Sequence, residues 1–163
     1  MKTKKINNSI VQEMEKTSIR LSEHFTLAEL TKTNTNLKNV PNEVQIKNLK
    51  RLCGWLEMLR EEWNKRYGEG DEGIVINSGF RSEAVNKAVG GAATSSHLTG
   101  CAADIRVSGM EQALRYAVIL LDISDEGRED FDELLIERNA RGAIWLHFAV
   151  RPTRNRRKLR FIS

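Results

Sequence analysis

The fold class follows from residues 131–150, FDELLIERNARGAIWLHFAV. Residues 131–137 and 143–150 are each typical of a strand in length and in their apolar content. Between them, the stretch from Asn139 to Gly142 contains the residue types that favour a tight turn. We therefore predict a β-hairpin here, and with it an antiparallel sheet.

Outside the hairpin, the sequence alternates helical patterns with short strands. Apolar residues recur at three- and four-residue steps through residues 43–66, which predicts a long helix packed on the core. Thr26 stands three residues before Glu29, and this capping-box spacing predicts a short helix that begins near Leu27. We also predict strands over residues 74–77 and 101–107, and helices over residues 82–88 and 110–121. Together these elements predict an α+β fold: one domain with a small antiparallel sheet and flanking helices.

Length and composition limit the classes of protein to consider. A chain of 163 residues suits one domain, and 29% charged residues is an ordinary content for a globular protein. No stretch of 18 apolar residues is present, so we expect no membrane insertion. Residues 1–18 lack the apolar segment of a secretory signal, which predicts a protein that is cytoplasmic as synthesised. We divide the chain into an arm over residues 1–20, a domain over residues 21–151 and a basic tail over residues 152–163.

The basic residues concentrate at the end of the chain. Such a run is most often a solvated tail, although it could also attract an anionic polymer such as the bacterial cell wall. Aromatic residues are not interleaved with these cations, so nucleic acid is an unlikely partner. The cations of this run are Arg151, Arg154, Arg156, Arg157, Lys158 and Arg160.

One of the three histidines stands near an unusual acid in the sequence. His97 precedes Asp104 by seven positions, and Asp104 interrupts an otherwise apolar predicted strand. Side chains alternate faces along a strand, which puts Cys101 on the opposite face from Asp104. A buried carboxylate needs a partner, and a salt bridge to Arg81 or Arg106 is the simplest one.

His147 adds a second interpretation. It lies on the second hairpin strand and shares a face with Trp145, whereas His24 stands just before a helix start. Two histidines and one aspartate meet the needs of a catalytic zinc ion, which takes three protein ligands and leaves one position for water. His97, Asp104 and His147 are therefore candidate zinc ligands.

Four segments together resemble the M15 zinc peptidases: HFTLAEL, INSGFRS, SSHLTGCAADI and WLHF. This family includes D-alanyl-D-alanine carboxypeptidases, D-alanyl-D-alanine dipeptidases and bacteriophage endolysins, and its fold is shared with hedgehog signalling domains. The signature SxHxxGxAxD is met from Ser95 to Asp104. The resemblance implies that His97, Asp104 and His147 bind Zn²⁺, and that Arg81 points into the site to bind the substrate and stabilise the oxyanion. It also implies that Ser95 hydrogen-bonds the substrate, for which a turn-forming serine is the alternative.

The general base is less directly indicated. Many members of the family carry an acid three residues before the last histidine, where this chain has Ile144. In the compact branch of the family, the final acid of a strand resembling FDELLIE takes that role, which implies Glu137. Pairing of residue 137 with residue 145 would put Glu137 on the face of His147. Glu133 shares this face and is the second choice for the general base. Asp132 points to the opposite face and is the least favoured of the three acids.

These observations lead to an expected function. We expect a zinc-dependent peptidase that cleaves the stem peptide of bacterial peptidoglycan, as a carboxypeptidase or an endopeptidase. The expected setting is a phage or prophage lysis enzyme that acts on the cell wall after its release. The alternatives are a non-catalytic zinc-containing binding or structural module, and a cytosolic D-alanyl-D-alanine dipeptidase.

Overall fold

A computed structural model describes residues 19–163. The predicted arm over residues 1–20 therefore lies almost wholly outside the described residues. Within them the chain forms four α-helices and five strands. In chain order these are α1 (Leu27–Leu30), α2 (Glu43–Arg66), β1 (Ile76–Ser78), α3 (Glu83–Ala88), a 3₁₀ helix (Ser96–Thr99), β2 (Ala102–Arg106), α4 (Met110–Gly127), β3 (Glu133–Arg138), β4 (Ile144–Ala149) and β5 (Lys158–Ile162).

The five strands form one sheet in the order β1-β2-β4-β3-β5. All neighbours are antiparallel except β3 and β5, which are parallel. The predicted hairpin joins β3 to β4, and its turn is closed by a hydrogen bond from the Asn139 N–H to the Ala143 carbonyl. The α+β fold with a small, mostly antiparallel sheet is confirmed.

One face of the sheet carries the hydrophobic core. The long helix α2 begins and ends as predicted, and Asn42 and Gln45 form a reciprocal capping box at its start. Side chains of β2, β3 and β4 that point to this face are buried against the helices, as strand alternation requires. The core members from these strands are Ala103, Ile105, Leu134, Leu146 and Phe148. The other face of the sheet is therefore left for polar side chains.

Two elements depart from their predicted ends. Helix α4 continues to Gly127 instead of ending at residue 121, because the buried Ser124 extends its packed side and Arg128 ends the helix with a left-handed φ of 52°. Strand β1 begins at Ile76, two residues after the predicted start at residue 74, and its pairing with β2 is irregular. The short helix α1 has the predicted capping box between Thr26 and Glu29.

The prediction of a basic tail over residues 152–163 is wrong for residues 158–162, which form β5. The charges obscured a strand pattern, in which Leu159 and Phe161 alternate with Lys158 and Arg160. In the parallel register Leu159 pairs with Leu134 of β3 and Phe161 with Ile136. The apolar side chains of β5 therefore lie on the core side of the sheet, where they remain exposed at its edge.

Asp132 attaches this last segment to the rest of the fold. Its carboxylate is fully buried and accepts hydrogen bonds of 2.9 and 2.8 Å from the Arg156 guanidinium. Arg151 Nε lies 3.1 Å from the same carboxylate. Two arginines from the basic run therefore compensate the charge of this buried carboxylate.

No helix within residues 19–163 combines the length and the apolar content that a membrane span requires.

Candidate metal centre and active site

Three elements bring His97, Asp104 and His147 together. Asp104 of β2 and His147 of β4 are direct partners in the antiparallel register, so their side chains project side by side from one face. His97 lies on the 3₁₀ helix that precedes β2. Gly100 ends this helix with a φ of 73°, and a β-carbon there would approach the carbonyl oxygen of Gln45 to 2.7 Å. A glycine is needed for the turn that returns the chain to β2 with His97 over Asp104.

The three side chains share one small volume. Asp104 Oδ1 lies 2.9 Å from His147 Nδ1 and 3.3 Å from His97 Nε2. One ligand atom from each residue lies within 4.8 Å of the other two. Both histidines are buried, with 3% exposure for His97 and 7% for His147.

A second hydrogen bond orients each imidazole. His97 Nδ1 lies 2.6 Å from the carbonyl oxygen of Gly79, so this nitrogen donates, and Nε2 faces Asp104. His147 Nε2 lies 3.3 Å from Glu133 Oε2, and its Nδ1 faces Asp104. Metal-binding histidines usually donate their other ring nitrogen in this way to a carbonyl or a carboxylate. Two nitrogens and one carboxylate oxygen form the donor set of a catalytic zinc site, and the residues present fit that ion.

The hydrogen bonds within the trio shift the pKa values of His147 and Asp104 in opposite directions. Burial lowers the pKa of His147, but hydrogen bonds to Asp104 and Glu133 outweigh it and raise that pKa to about 9. Burial likewise raises the pKa of Asp104, while hydrogen bonds from His147 and His97 lower it by more, so the carboxylate stays ionised. The ionised Asp104 carboxylate therefore favours a positive charge between the two histidines, either as a proton or as a metal ion.

Arg81 contacts the same carboxylate from the other side. Its Nη2 donates to Asp104 Oδ2 at 2.8 Å, and its Nε donates to Ser78 Oγ at 2.9 Å. Of the two arginines considered as partners for Asp104, Arg81 makes the salt bridge, whereas Arg106 Nε donates to Asn77. Arg81 thus lies at the edge of the trio, and its Nη1 makes no hydrogen bond with residues 19–163.

Glu133 and Glu137 lie on the same face of β3, on either side of Leu135, which pairs with His147. Glu133 is engaged: besides His147, its carboxylate contacts Lys158 Nζ at 3.2 Å. The hydrogen bond from His147 is the main reason that the pKa of Glu133 falls to about 2. Sequence reasoning missed this contact, although residues 133 and 147 share a face of neighbouring strands, which could have indicated it.

Glu137 has the opposite character. It pairs with Trp145 in the register, which puts it on the face of His147, and its side chain makes no hydrogen bond within residues 19–163. Burial raises its pKa, which makes its carboxylate a better proton acceptor than an ordinary glutamate.

Comparison with protein families identifies the chain. The family described as Peptidase M15 matches residues 23–133. The chain belongs to the M15 peptidases. The match contains Arg81, His97 and Asp104 and ends at Glu133, before Glu137 and His147. No curated protein matches the chain.

Ser95 and Asn86 support the loop that carries His97 in this M15 peptidase. Ser95 Oγ accepts a hydrogen bond of 3.3 Å from the His97 N–H and caps the 3₁₀ helix. Asn86 Nδ2 donates to the Ala92 carbonyl at 3.0 Å, and the Gly91 N–H donates to the Asn86 carbonyl. Ser95 therefore forms the turn before His97, and its hydrogen bond to a substrate stays a prediction.

Proposed function

We propose that this M15 peptidase uses Zn²⁺ to hydrolyse peptide bonds in the stem peptides of bacterial peptidoglycan. The observation that carries the proposal is the convergence of His97 Nε2, Asp104 Oδ1 and His147 Nδ1 in a member of a peptidase family. When bound there, zinc polarises the scissile carbonyl and acidifies water. Three protein ligands leave room for substrate, as catalytic zinc requires.

Glu137 is the proposed general base. It shares a face with His147, lies outside the hydrogen-bonded trio and has a raised pKa because it is buried. In the proposed mechanism Glu137 removes a proton from the attacking water and returns it to the leaving amine. Glu133, which accepts a hydrogen bond from His147, has the different role of fixing that imidazole.

Arg81 is proposed to stabilise the negative charge that develops on the carbonyl oxygen. Its salt bridge with Asp104 holds the guanidinium at the site before substrate arrives, so little reorganisation is needed. The guanidinium has five N–H groups, and the described contacts engage two of them. The remaining donors are available to a substrate carbonyl or carboxylate.

The proposed setting is the lysis of a bacterial cell wall by a phage or prophage enzyme. The resemblance to phage-associated members of the family supports this part of the proposal. The chain has a formal net charge of +4, which favours contact with an anionic wall. The products of digestion distinguish a carboxypeptidase, which removes a terminal residue, from an endopeptidase, which cuts within the peptide.

Metal content tests the site directly. Purified protein should contain about one zinc ion per chain, and His97→Ala should lose most of it. His24→Ala is the matched control, because His24 pairs with Glu57 away from the trio. Equal zinc content in both variants would show that the site is wrong.

Products of wall digestion test the reaction. Purified peptidoglycan is incubated with the zinc-loaded protein, and the released fragments are analysed by mass spectrometry, which also identifies the bond that is cut. Glu137→Gln should retain zinc and lose turnover by at least 100-fold, as expected for removal of a general base. Absence of cleavage by the wild-type enzyme contradicts the proposed substrate, and full activity of Glu137→Gln contradicts the proposed base.

A further inference from the structure

Strand β5 places Arg160 on the same face of the sheet as the metal-binding trio. In the parallel register Arg160 pairs with Leu135 of β3, and Leu135 pairs with His147 of β4. Paired residues project to the same side, so these three side chains form a row across the sheet. Neighbouring strands lie about 4.8 Å apart, which places the Arg160 backbone about 10 Å from that of His147.

Arg160 and Arg154 are the two cations of the basic run without an acidic partner within residues 19–163, and of the two only Arg160 lies on a strand of the sheet. Arg151 and Arg156 pair with Asp132, Arg157 pairs with two aspartates, and Lys158 pairs with Glu133. Those cations hold the last segment on the fold. Arg160 is exposed and makes no such contact, so its guanidinium remains available to a ligand.

We propose that Arg160 binds a carboxylate of the peptide substrate and so determines which peptides the enzyme prefers. The inference rests on the proposed peptidase function. An extended peptide rises about 3.3 Å per residue, so the carboxylate lies within about three residues of the scissile bond, toward β5. The planar guanidinium matches a carboxylate with two parallel hydrogen bonds, which a lysine does not reproduce.

A different role would be for Arg160 to act on the proposed base. Arg160 pairs with Leu135, and Glu137 lies two residues farther along the same strand, so Glu137 is a diagonal neighbour within reach of the Arg160 side chain. No ion pair between Arg160 and Glu137 is present. If one formed, replacing Arg160 would change the pH profile of turnover for every peptide alike. Substrate binding instead predicts an effect on KM that depends on the carboxylate.

The test uses a synthetic stem pentapeptide, L-Ala-γ-D-Glu-L-Lys-D-Ala-D-Ala, and two analogues. One analogue carries a carboxamide in place of the D-glutamate α-carboxylate, and the other carries a C-terminal carboxamide. For the wild-type enzyme, one of these replacements should raise KM about fivefold with kcat unchanged, as for an exposed charged pair. Arg160→Ala should show the higher KM for all three peptides, and Arg160→Lys should recover only part of the discrimination.

Arg138→Ala is the matched control. Arg138 is the last residue of β3, and its side chain points to the opposite face from Leu135. The Arg138→Ala variant therefore removes the same charge from the other face of the sheet. It should retain the discrimination of the wild-type enzyme. The inference is overturned if Arg160→Ala retains it too, or if that variant loses kcat equally on all peptides with an altered pH profile.

Binding measurements test the role of Arg160 independently of catalysis. Affinities of the three peptides for the zinc-loaded Glu137→Gln protein, with and without Arg160→Ala, are measured by calorimetry. If the wild-type enzyme cleaves none of the peptides, the proposed function fails, and a carboxylate-dependent affinity that requires Arg160 still supports the subsite. Affinities that do not depend on the carboxylate contradict it.

Discussion

Replacing Glu133 and Glu137 by glutamine should have opposite effects on the stability of the metal-free protein. Glu133 has a pKa of about 2 in the folded state because His147 and Lys158 contact its carboxylate. The difference from the ordinary value of 4.5 corresponds to about 3 kcal/mol of stabilisation when the carboxylate is ionised. A glutamine at position 133 keeps an acceptor oxygen but loses the charge, so we expect Glu133→Gln to cost about 2 kcal/mol at pH 7.

The pH dependence follows from the direction of each shift. For Glu133 the folded pKa lies below the unfolded one, so its stabilisation is complete above pH 4.5 and disappears as the pH falls through about 2. For Glu137 burial raises the folded pKa, so ionisation of Glu137 opposes folding once the pH exceeds 4.5. Glu137→Gln should therefore increase stability at pH 7.

Chemical denaturation of chelator-treated protein at several pH values between 2 and 8 measures both effects. The two sites share a strand and a face, so each variant is the control for the other. The loss caused by Glu133→Gln should shrink steadily below pH 4.5. Two results would refute this reasoning: a loss of stability in Glu133→Gln that does not vary with pH, or a change of stability with the same sign in both variants. Either would show that Glu133 is not the partner of His147 or that Glu137 is not without a partner.

Three further predictions concern the metal, the last strand and the turn after His97. The pKa of His147 is about 9 without metal, so zinc binding must release a proton. Competition with a chelator should therefore show a zinc affinity that rises about tenfold per pH unit from pH 6 to 8, and an affinity that does not change with pH contradicts this. Asp132→Asn should cost about 3 kcal/mol in urea denaturation because it removes the buried charge that pairs with Arg151 and Arg156. Asp125→Asn, at an exposed pair, should cost under about 1 kcal/mol. Gly100→Ala should lower stability more than Gly90→Ala, since both have positive φ but only Gly100 lies against the α2 backbone.

Much of the fold could be predicted because its patterns are local. The long helix α2 has apolar positions at helical steps and a capping residue at its start, and both are visible in the sequence. Strand parity correctly put His147 and Trp145 on one face of β4, because alternation follows from backbone geometry alone. The convergence of the trio also needed the register between β2 and β4, in which Asp104 pairs with His147.

The contacts that sequence reasoning missed depend on pairing between distant strands. Nothing local to Arg156 shows that its partner is Asp132, which lies 24 positions earlier and is buried only because β5 pairs with β3. The division of roles between Glu133 and Glu137 has the same origin. Both share parity with His147, and only the register and the cations on β5 show which of them is engaged.

The alternation of side chains across the sheet has a consequence for protein engineering. On β5, Leu159 and Phe161 lie on the core side of the sheet at its exposed edge, whereas Lys158, Arg160 and Ile162 lie on the face of the candidate metal site. A combinatorial library restricted to Arg160 and Ile162 would vary this face and keep Lys158, which contacts Glu133. Selection for new peptide preferences could then proceed with few variants lost to unfolding, because both of these side chains are exposed.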